Sequence, residues 1–495
     1  MSSPQTINLF EFVKYPWEIS PDRNKLSDDL EKVLDKIWAD RKRFIPLDSL
    51  YYKSSSNKQR FIDFRKNEIV PRNWIGAIHL RSNNDEYVFN LLPKIFYKED
   101  HALTTKEIDS IFAHVIWWLS VSDKQDYSSM ESSLGAIKSD FLEILVWIFS
   151  SYTLDVLSTT SYNYYETINE DIETVKGGID FNKYAQNFAR GEKQKLACVY
   201  DSFQYDNQFN RIVKYVSSVL KNFTKNPQTK RNLEEILFIL DEVELSIVSV
   251  EDCDKVDLNP IYTEFRTILD NCRMFLSSLS VYKWKDDYNV FALLIPSEIL
   301  FEKFIFSILK SIDRSINNVQ DVMASKIGAF ARIIHNNNQT GELKFKNDIV
   351  ISFKNCLPII LDCKYKLINY LDKSATEFEQ RYKVSQADVY QMASYAIRSK
   401  VYNIGLLFPI SVEDDLLSDF DFHYEIDDEF VINPEQKTIK IKPYKVNIIH
   451  EDVLNINLND SLENIFKNTK NNIINRLNVI LIDLMHKFNS ASNQD

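Results

Sequence analysis

Two apolar runs set close together, "DIVISF" from Asp348 and "PIILDCKYK" from Pro358, constrain this chain more than any other stretch of its 495 residues. Each has the length of a buried strand, and the few residues between them, Lys354 and Asn355 included, leave room only for a tight antiparallel reversal. A buried strand has no use for an unpartnered charge, yet the first run opens on Asp348 and the second ends in Asp362-Cys363-Lys364. Strand side chains alternate, so Asp362 and Lys364 share one face while Leu361 and Cys363 take the other. The hairpin register then sets Asp348 opposite or diagonal to Asp362, within reach of one bound ion. An ordinary cross-strand ion pair on a surface hairpin is the alternative reading of the same residues.

The flanking segments bear on that choice. Pro296 and Ser297 introduce "SEILFEKFIFSILKSI", a predicted helix that Ser297 can cap and that carries Glu298 and Glu302 on one face. Downstream, "SQADVYQMASYAIRSK" predicts an amphipathic helix in which Asp388, Gln391 and Tyr395 form a polar stripe beside Val389, Met392, Ala393 and Ala396. A further strand is expected at "YNIGLLFPI".

Upstream, "WIGAIHLRSNNDEYVFNLLPKIFY" predicts two strands around a polar turn, and Thr104 with Glu107 forms a capping-box start to an apolar helix. Helices are also expected near 27–44, 141–157, 207–222, 230–249 and 258–280, which makes the middle third mostly helical. The run "FLEILVWIFSSYTLDVL", interrupted by Glu143 and Asp155, reads as too short and too polar to span a bilayer, so no membrane is expected.

Bulk composition excludes several classes. The 8 glycines cannot assemble a GxxxxGK[ST] phosphate loop or a GxGxxG fingerprint, so the chain is neither a P-loop NTPase nor a Rossmann enzyme. A net charge of −12 argues against a chain that coats nucleic acid through general basicity, so any DNA contact is expected to be local or shared with a partner. Five cysteines without a CxxC pair suggest neither a zinc site nor a disulfide framework, and a reducing cytoplasm is the expected compartment.

The order helix, strand, strand with Asp-x-Lys, helix, strand resembles the core of the PD-(D/E)XK nucleases, several families of which add a Gln-x-x-x-Tyr pair such as Gln391 and Tyr395. The likeness extends further. "WIGAIHLRSNNDEYVFNLLPKIF" with Pro93, Lys94 and Ile95, the central "GGIDFNKYAQNFARGEKQKLACVYDSFQYDNQFNRIVKYV", "IPSEILFEKFIF", "DIVI", "LDCKYK" and "DVYQMASYA" occur in the order of the McrC family, the nuclease subunit of McrBC-type restriction systems, including the related LlaJI-type subunits. Where that family usually has proline before the first aspartate, this chain has Asn347. Read without the resemblance, Asp201, Asp206, Asn210 and Arg211 of the central segment are a capping and salt-bridge network.

The resemblance implies an α+β multidomain chain. It would comprise an amino-terminal partner-docking region with a β-hairpin (1–100), a mainly helical middle (101–285), a PD-(D/E)XK nuclease α/β core (286–412) and a carboxy-terminal extension with an acidic segment and a helix (413–495). It also implies Mg²⁺, for which Mn²⁺ can substitute, held by Asp348, Asp362, the Cys363 carbonyl and Glu302, with Lys364 acting on the attacking water. Gln391 and Tyr395 would position the substrate strand or cap the hairpin. The implied partners are an McrB-like AAA+ GTPase hexamer and double-stranded DNA, with a non-cleaving activator of the ring and a LlaJI-type subunit cutting unmethylated sites as the alternatives.

Overall fold

The computed structural model describes residues 5–16, 21–39, 58–65, 67–81, 86–123, 140–162, 164–258, 263–284, 288–312, 319–324, 327–335, 338–354, 357–367, 384–414, 420, 422–427, 438–450 and 462–486. The turn at 82–85 and the hairpin tip at Asn355 therefore lie outside the described residues. Two compact units form, one from Met1–Leu142 with Ser280–Asp495 and the other from Glu143–Leu279.

The larger unit carries the candidate residues on a six-stranded mixed sheet. Strand Ile349–Phe353 pairs antiparallel with Ile359–Cys363 in the register Ile349 to Leu361, as the sequence leads one to expect. Parallel partners follow, Ile359–Cys363 against Asn403–Pro409 and that strand against Thr438–Val446, while Val319–Ala324 and Tyr424–Asp427 form the antiparallel edges.

Period-two alternation decides what each face carries. Ile404, Leu406 and Phe408 join Ile360, Ile439 and Ile441 in a buried cluster with Met392, Tyr395 and Ala396 of helix Gln386–Ser399. Fully burying side chains of this size stabilises by about 1.5–3 kcal/mol each, which holds that helix on the face that also carries Asp362. On the opposite face, a Cβ at Gly405 would lie 2.7 Å from Leu361 and 3.1 Å from Leu484 of helix Leu462–His486, so glycine here leaves room for the ends of both leucine side chains.

Two details depart from the sequence reading here. Helix Ser297–Ser311 has Pro296 as its N-cap with no side-chain capping bond, and Ser297 is its first helical residue. The Ser297 hydroxyl instead donates to Glu11 Oε1 at 2.6 Å, a buried carboxylate far away in sequence that competes successfully for it. The carboxy-terminal extension is more than an acidic segment and a helix, because "TIKIKPYKV" alternates buried and half-buried residues and adds a strand to the sheet.

The same unit holds a five-stranded sheet in which Gln5–Phe10 runs parallel to Glu86–Leu92, and Trp74–Arg81 lies antiparallel to both Glu86–Leu92 and Tyr288–Pro296. The hairpin predicted across residues 74–97 is present. Gly76 is required in it, since its φ is +136° and a Cβ would fall 2.0 Å from the Leu293 carbonyl oxygen. The Thr104–Glu107 capping box also forms, the Glu107 carboxylate accepting the Thr104 amide at 2.7 Å and the Glu107 amide reaching Thr104 Oγ1 at 3.3 Å.

In the smaller unit, helices Gln208–Phe223, Pro227–Ile239 and Thr263–Ser278 match the predicted periodicity, although the second ends ten residues earlier than expected. A three-stranded sheet built around Leu196–Gln204 accompanies them, in a stretch that the sequence predicts to be mostly helical. The central motif is a capping and ion-pair network. Arg211 forks onto Asp206 at 2.7 and 2.8 Å, and Asn210 donates to the Tyr162 and Tyr205 carbonyls. The Asp201 side chain lies outside what is described.

Helix Phe141–Thr159 corrects another expectation: it is long and apolar enough by length and composition to cross a membrane, at a mean hydropathy of 1.4, yet 67% of that window is buried in the protein. Its Glu143 is satisfied internally, accepting from Thr224 Oγ1 at 2.6 Å and from the Lys225 amide at 2.8 Å.

Candidate active site

The site begins where the pairing of the two strands ends, at Ile349 and Leu361. Asp348 stands one residue before its strand and Asp362 one residue before the end of the next, so the register that pairs Ile349 with Leu361 brings the two carboxylates to one face. The Cys363 amide donates to Asp348 Oδ2 at 2.8 Å, which fixes the first carboxylate to the second strand. Asn347, which stands where the resembled family usually has proline, is buried and donates from Nδ2 to Ser399 Oγ at 3.0 Å, so it ties this corner to the end of helix Gln386–Ser399.

Asp362 is 1% exposed, and its ion pair with Lys364, Nζ to Oδ2 at 2.7 Å, brings the charge there that burial requires. Lys364 donates onward to Gln391 Oε1 at 3.0 Å, and Gln391 Nε2 donates to the Tyr395 hydroxyl at 2.6 Å. One turn of helix separates Gln391 from Tyr395, and Asp388 precedes Gln391 by a turn. Asp388 Oδ2 pairs with Lys366 at 2.7 Å while Oδ1 lies 3.8 Å from Lys364. Asp362, Lys364, Gln391 and Tyr395 therefore form one connected chain, and Asp388 with Lys366 extends it.

Electrostatics separates the carboxylates into two kinds. Burial drives the Asp348 carboxyl well above the ordinary range, and the neighbouring charges of Asp362 and Glu302 drive it further. Burial also raises Asp362, against the pull of Lys364. Asp388 is held low despite its burial, because Lys366 and the Ser385 cap favour its charged form. Burial opposes the charge on Lys364, but Asp362, with Asp388 and Asp348 behind it, holds the ammonium above its usual range. At neutral pH Lys364 is thus a donor rather than a base.

Two crowded carboxylates with raised proton affinity are a donor set suited to a hard divalent cation, whose charge would relieve both the burial and the repulsion. Among the described residues, no three His, Cys, Asp or Glu side chains converge closely enough to hold a metal by themselves. A cation here would therefore rest on Asp348 and Asp362 with a backbone carbonyl such as that of Cys363. Glu302, on helix Ser297–Ser311, acts on Asp348 through its field.

A second cluster adjoins the first. Tyr365 follows Lys364 directly, and its hydroxyl donates to Glu11 Oε2 at 3.2 Å while its carbonyl accepts from Lys94 Nζ at 2.8 Å. Glu11 and Lys94 are 1% and 8% exposed, and neither was singled out from the residues themselves. The signal available for Glu11 is its place directly after the strand-like run "INLF", as Asp362 follows "PIIL".

Comparison with known proteins places the chain in context. The family model for the McrBC 5-methylcytosine restriction system component matches residues 69–409. No curated protein matches. Among solved structures, a chain of a refined half-complex from the tetradecameric assembly of Thermococcus gammatolerans McrB AAA+ hexamers with bound McrC shares the fold, with 17% identity and a TM-score of 0.57 over 95% of this chain and 100% of that one. A chain of the Thermococcus gammatolerans McrBC complex is similar at 15% identity and a TM-score of 0.45, covering 62% of this chain and 88% of that one.

Proposed function

This chain belongs to the family of McrBC 5-methylcytosine restriction system components, and from that premise we propose that it is the metal-dependent endonuclease subunit of a GTP-dependent restriction system. The observation that carries the reading is the convergence of Asp348 and Asp362 at the end of a strand pairing, with Lys364 paired to Asp362 at 2.7 Å. The mixed sheet with its flanking helices then corresponds to a PD-(D/E)XK core.

Mg²⁺, or Mn²⁺ in its place, would rest on Asp348, Asp362 and the Cys363 carbonyl, with Glu302 reaching it through water, and would supply neutralisation of phosphate charge and a more acidic water. The chain's own residues do the rest. Lys364, held protonated, orients the attacking water by donation and stabilises the negative charge that grows on the non-bridging oxygens. Gln391 limits where that ammonium can swing, and Tyr395 fixes the Gln391 amide, so the two act through Lys364 as much as on the substrate strand. The product is a broken phosphodiester with no covalent enzyme intermediate.

The reading assigns nucleotide hydrolysis to a partner, an McrB-like AAA+ GTPase hexamer onto which this chain docks and whose hydrolysis it stimulates. The absence of any phosphate-loop motif from the sequence supports that division of labour. The amino-terminal region is the proposed docking element, and helix Phe181–Ala189 offers a second surface, with Phe181 and Phe188 73% and 51% exposed.

The test is cleavage of matched methylated and unmethylated plasmids by this chain with its AAA+ partner, GTP and Mg²⁺, beside Asp362→Ala. Cutting that needs the partner, GTP and Asp362 supports the reading, and a preference for the methylated plasmid supports restriction of modified foreign DNA. Preference for the unmethylated plasmid would favour the LlaJI-type arrangement. Stimulated GTP hydrolysis without cutting of either plasmid would overturn the nuclease assignment and leave an activator of the ring.

A further inference from the structure

Lys94 is a buried ammonium whose contacts converge on the backbone that carries Lys364. Its Nζ donates to the Tyr365 carbonyl at 2.8 Å and sits 4.4 Å from the centre of the Tyr365 ring and 4.7 Å from that of Phe12. Its own amide donates to Glu11 Oε2 at 3.1 Å. Glu11 in turn accepts from Ser297 on one oxygen and from Tyr365 on the other, so strand Gln5–Phe10, the turn at Lys94, helix Ser297–Ser311 and the exit of the Asp-Cys-Lys strand meet in one cluster.

Such a cluster is a costly way to hold a core together. Burial pushes Glu11 up and Lys94 down, and apolar residues of similar volume would fill the space without that penalty. What apolar residues would not supply is a directional donor to a backbone carbonyl. That carbonyl belongs to the residue after Lys364, where the main chain leaves the sheet: the Lys364 amide donates to the Leu407 carbonyl at 2.8 Å, and the Lys366 amide turns back onto the Lys364 carbonyl at 2.8 Å. Beyond Cys363 the strand pairing has ended, so Lys94 supplies from the far side the restraint that sheet pairing no longer gives.

We propose that Lys94 is a positioning residue for the nuclease centre, which fixes the main chain at Tyr365 and thereby the height of Lys364 and of the Cys363 carbonyl relative to Asp348 and Asp362. The proposal rests on the reading of that centre as catalytic. It extends the site beyond the nuclease sheet, because Glu11 and Lys94 follow the amino-terminal strands Gln5–Phe10 and Glu86–Leu92, which a catalytic core taken alone would omit.

The experiment uses the full chain with its AAA+ partner and compares wild type, Lys94→Met, Lys94→Gln, Ser297→Ala and Asp362→Ala. Three quantities are read: the melting temperature, Mn²⁺ binding by titration calorimetry without DNA, and plasmid cleavage resolved into kcat and KM. A displacement of about 1 Å at reacting groups costs up to about a hundredfold in rate, so Lys94→Met should lower kcat by about tenfold to a hundredfold with KM for DNA unchanged. It should also weaken Mn²⁺ binding several-fold. Ser297→Ala removes a bond within the cluster but leaves the Lys94 contact with the carbonyl, so it should lower the melting temperature and keep kcat. Lys94→Gln, which can keep one donor, should fall between, and it decides the matter if Lys94→Met fails to fold. Wild-type kcat and Mn²⁺ affinity in the folded Lys94 variant would overturn the proposal, as would kcat tracking melting temperature alike in the Lys94 and Ser297 variants. Failure of wild type itself to bind Mn²⁺ or cut would overturn the nuclease reading instead, and the proposal with it.

Discussion

The Cys363 amide donates to Asp348 Oδ2 at 2.8 Å, a bond from the end of one strand to the residue just before its neighbour. It orients one carboxylate toward the other while the backbone does the holding, so Asp348 needs no side-chain counterion to stay in place. Asp362 differs, because its burial is compensated by the side chain of Lys364. Substitutions at the two aspartates should therefore have opposite consequences for stability.

Asp348→Asn removes one of two repelling carboxylates and keeps an acceptor for the Cys363 amide. It should abolish cleavage and raise the melting temperature at neutral pH by a few degrees, about 1 kcal/mol at this scale. Asp362→Ala should abolish cleavage and lower the melting temperature, since it leaves the Lys364 ammonium with a lost partner in a largely buried position. Differential scanning calorimetry of the two variants checks the pair, and equal shifts of the same sign would contradict this account.

Lys364→Met should reduce cleavage by about a hundredfold or more, in line with the loss of a donor aimed at developing charge. Lys364→Arg should recover little of it, because a planar guanidinium cannot satisfy both Asp362 and Gln391 as a compact ammonium does. Gln391→Leu should cost less, about tenfold, since it frees Lys364 without removing it. Single-turnover cleavage rates with partner and GTP in excess order the three.

Much of this site was legible in the sequence because it violates a local rule. Charges at the ends of apolar strands stand out against periodicity, and strand alternation with hairpin register is enough to set Asp348, Asp362 and Lys364 together. The stripe Asp388, Gln391, Tyr395 was legible for the same reason, as polar residues at helical spacing above a buried face. The ligand for Ser297 was not, because its partner Glu11 is 286 residues away in the chain and no short-range pattern encodes that contact. The strand Thr438–Val446 was missed although it alternates, since acidic residues and an interior Pro443 disguise its neighbourhood. The small sheet around Leu196–Gln204 is hard to discern in the sequence because strong helical periodicity follows on its carboxy-terminal side.

The exposed aromatic face of helix Phe181–Ala189 gives a prediction about association rather than chemistry. Asp180 caps that helix, its carboxylate accepting the Asn182 and Lys183 amides at 3.0 and 3.1 Å, so the helix keeps its shape when its surface is altered. Phe181→Ala with Phe188→Ala should leave the melting temperature within a degree or so of wild type and weaken binding to the AAA+ partner about tenfold or more. Sedimentation velocity of the mixture reads the loss. Unchanged assembly would confine docking to the amino-terminal region.

The last prediction concerns acid stability. His114 is fully buried, with Nδ1 donating to the Ser110 carbonyl at 2.8 Å and Nε2 accepting the His450 amide at 3.2 Å, an arrangement that requires the neutral ring. Burial lowers its pKa to about 4, against an ordinary value near 6.5 in the unfolded chain. The unfolded state thus binds the proton first as pH falls, and the stability owed to neutral His114 is complete above about 6.5 and is lost progressively down to about 4. The full difference is on the order of 3 kcal/mol. Protonation at Nε2 would also deprive the His450 amide of its acceptor, so the loss and the broken contact are one event. His114→Gln can keep a donor and an acceptor without titrating, so its melting temperature should be lower than wild type at pH 7.5 and should fall less steeply between pH 6.5 and 4.5. Parallel pH profiles for the two proteins would show that acid sensitivity arises elsewhere.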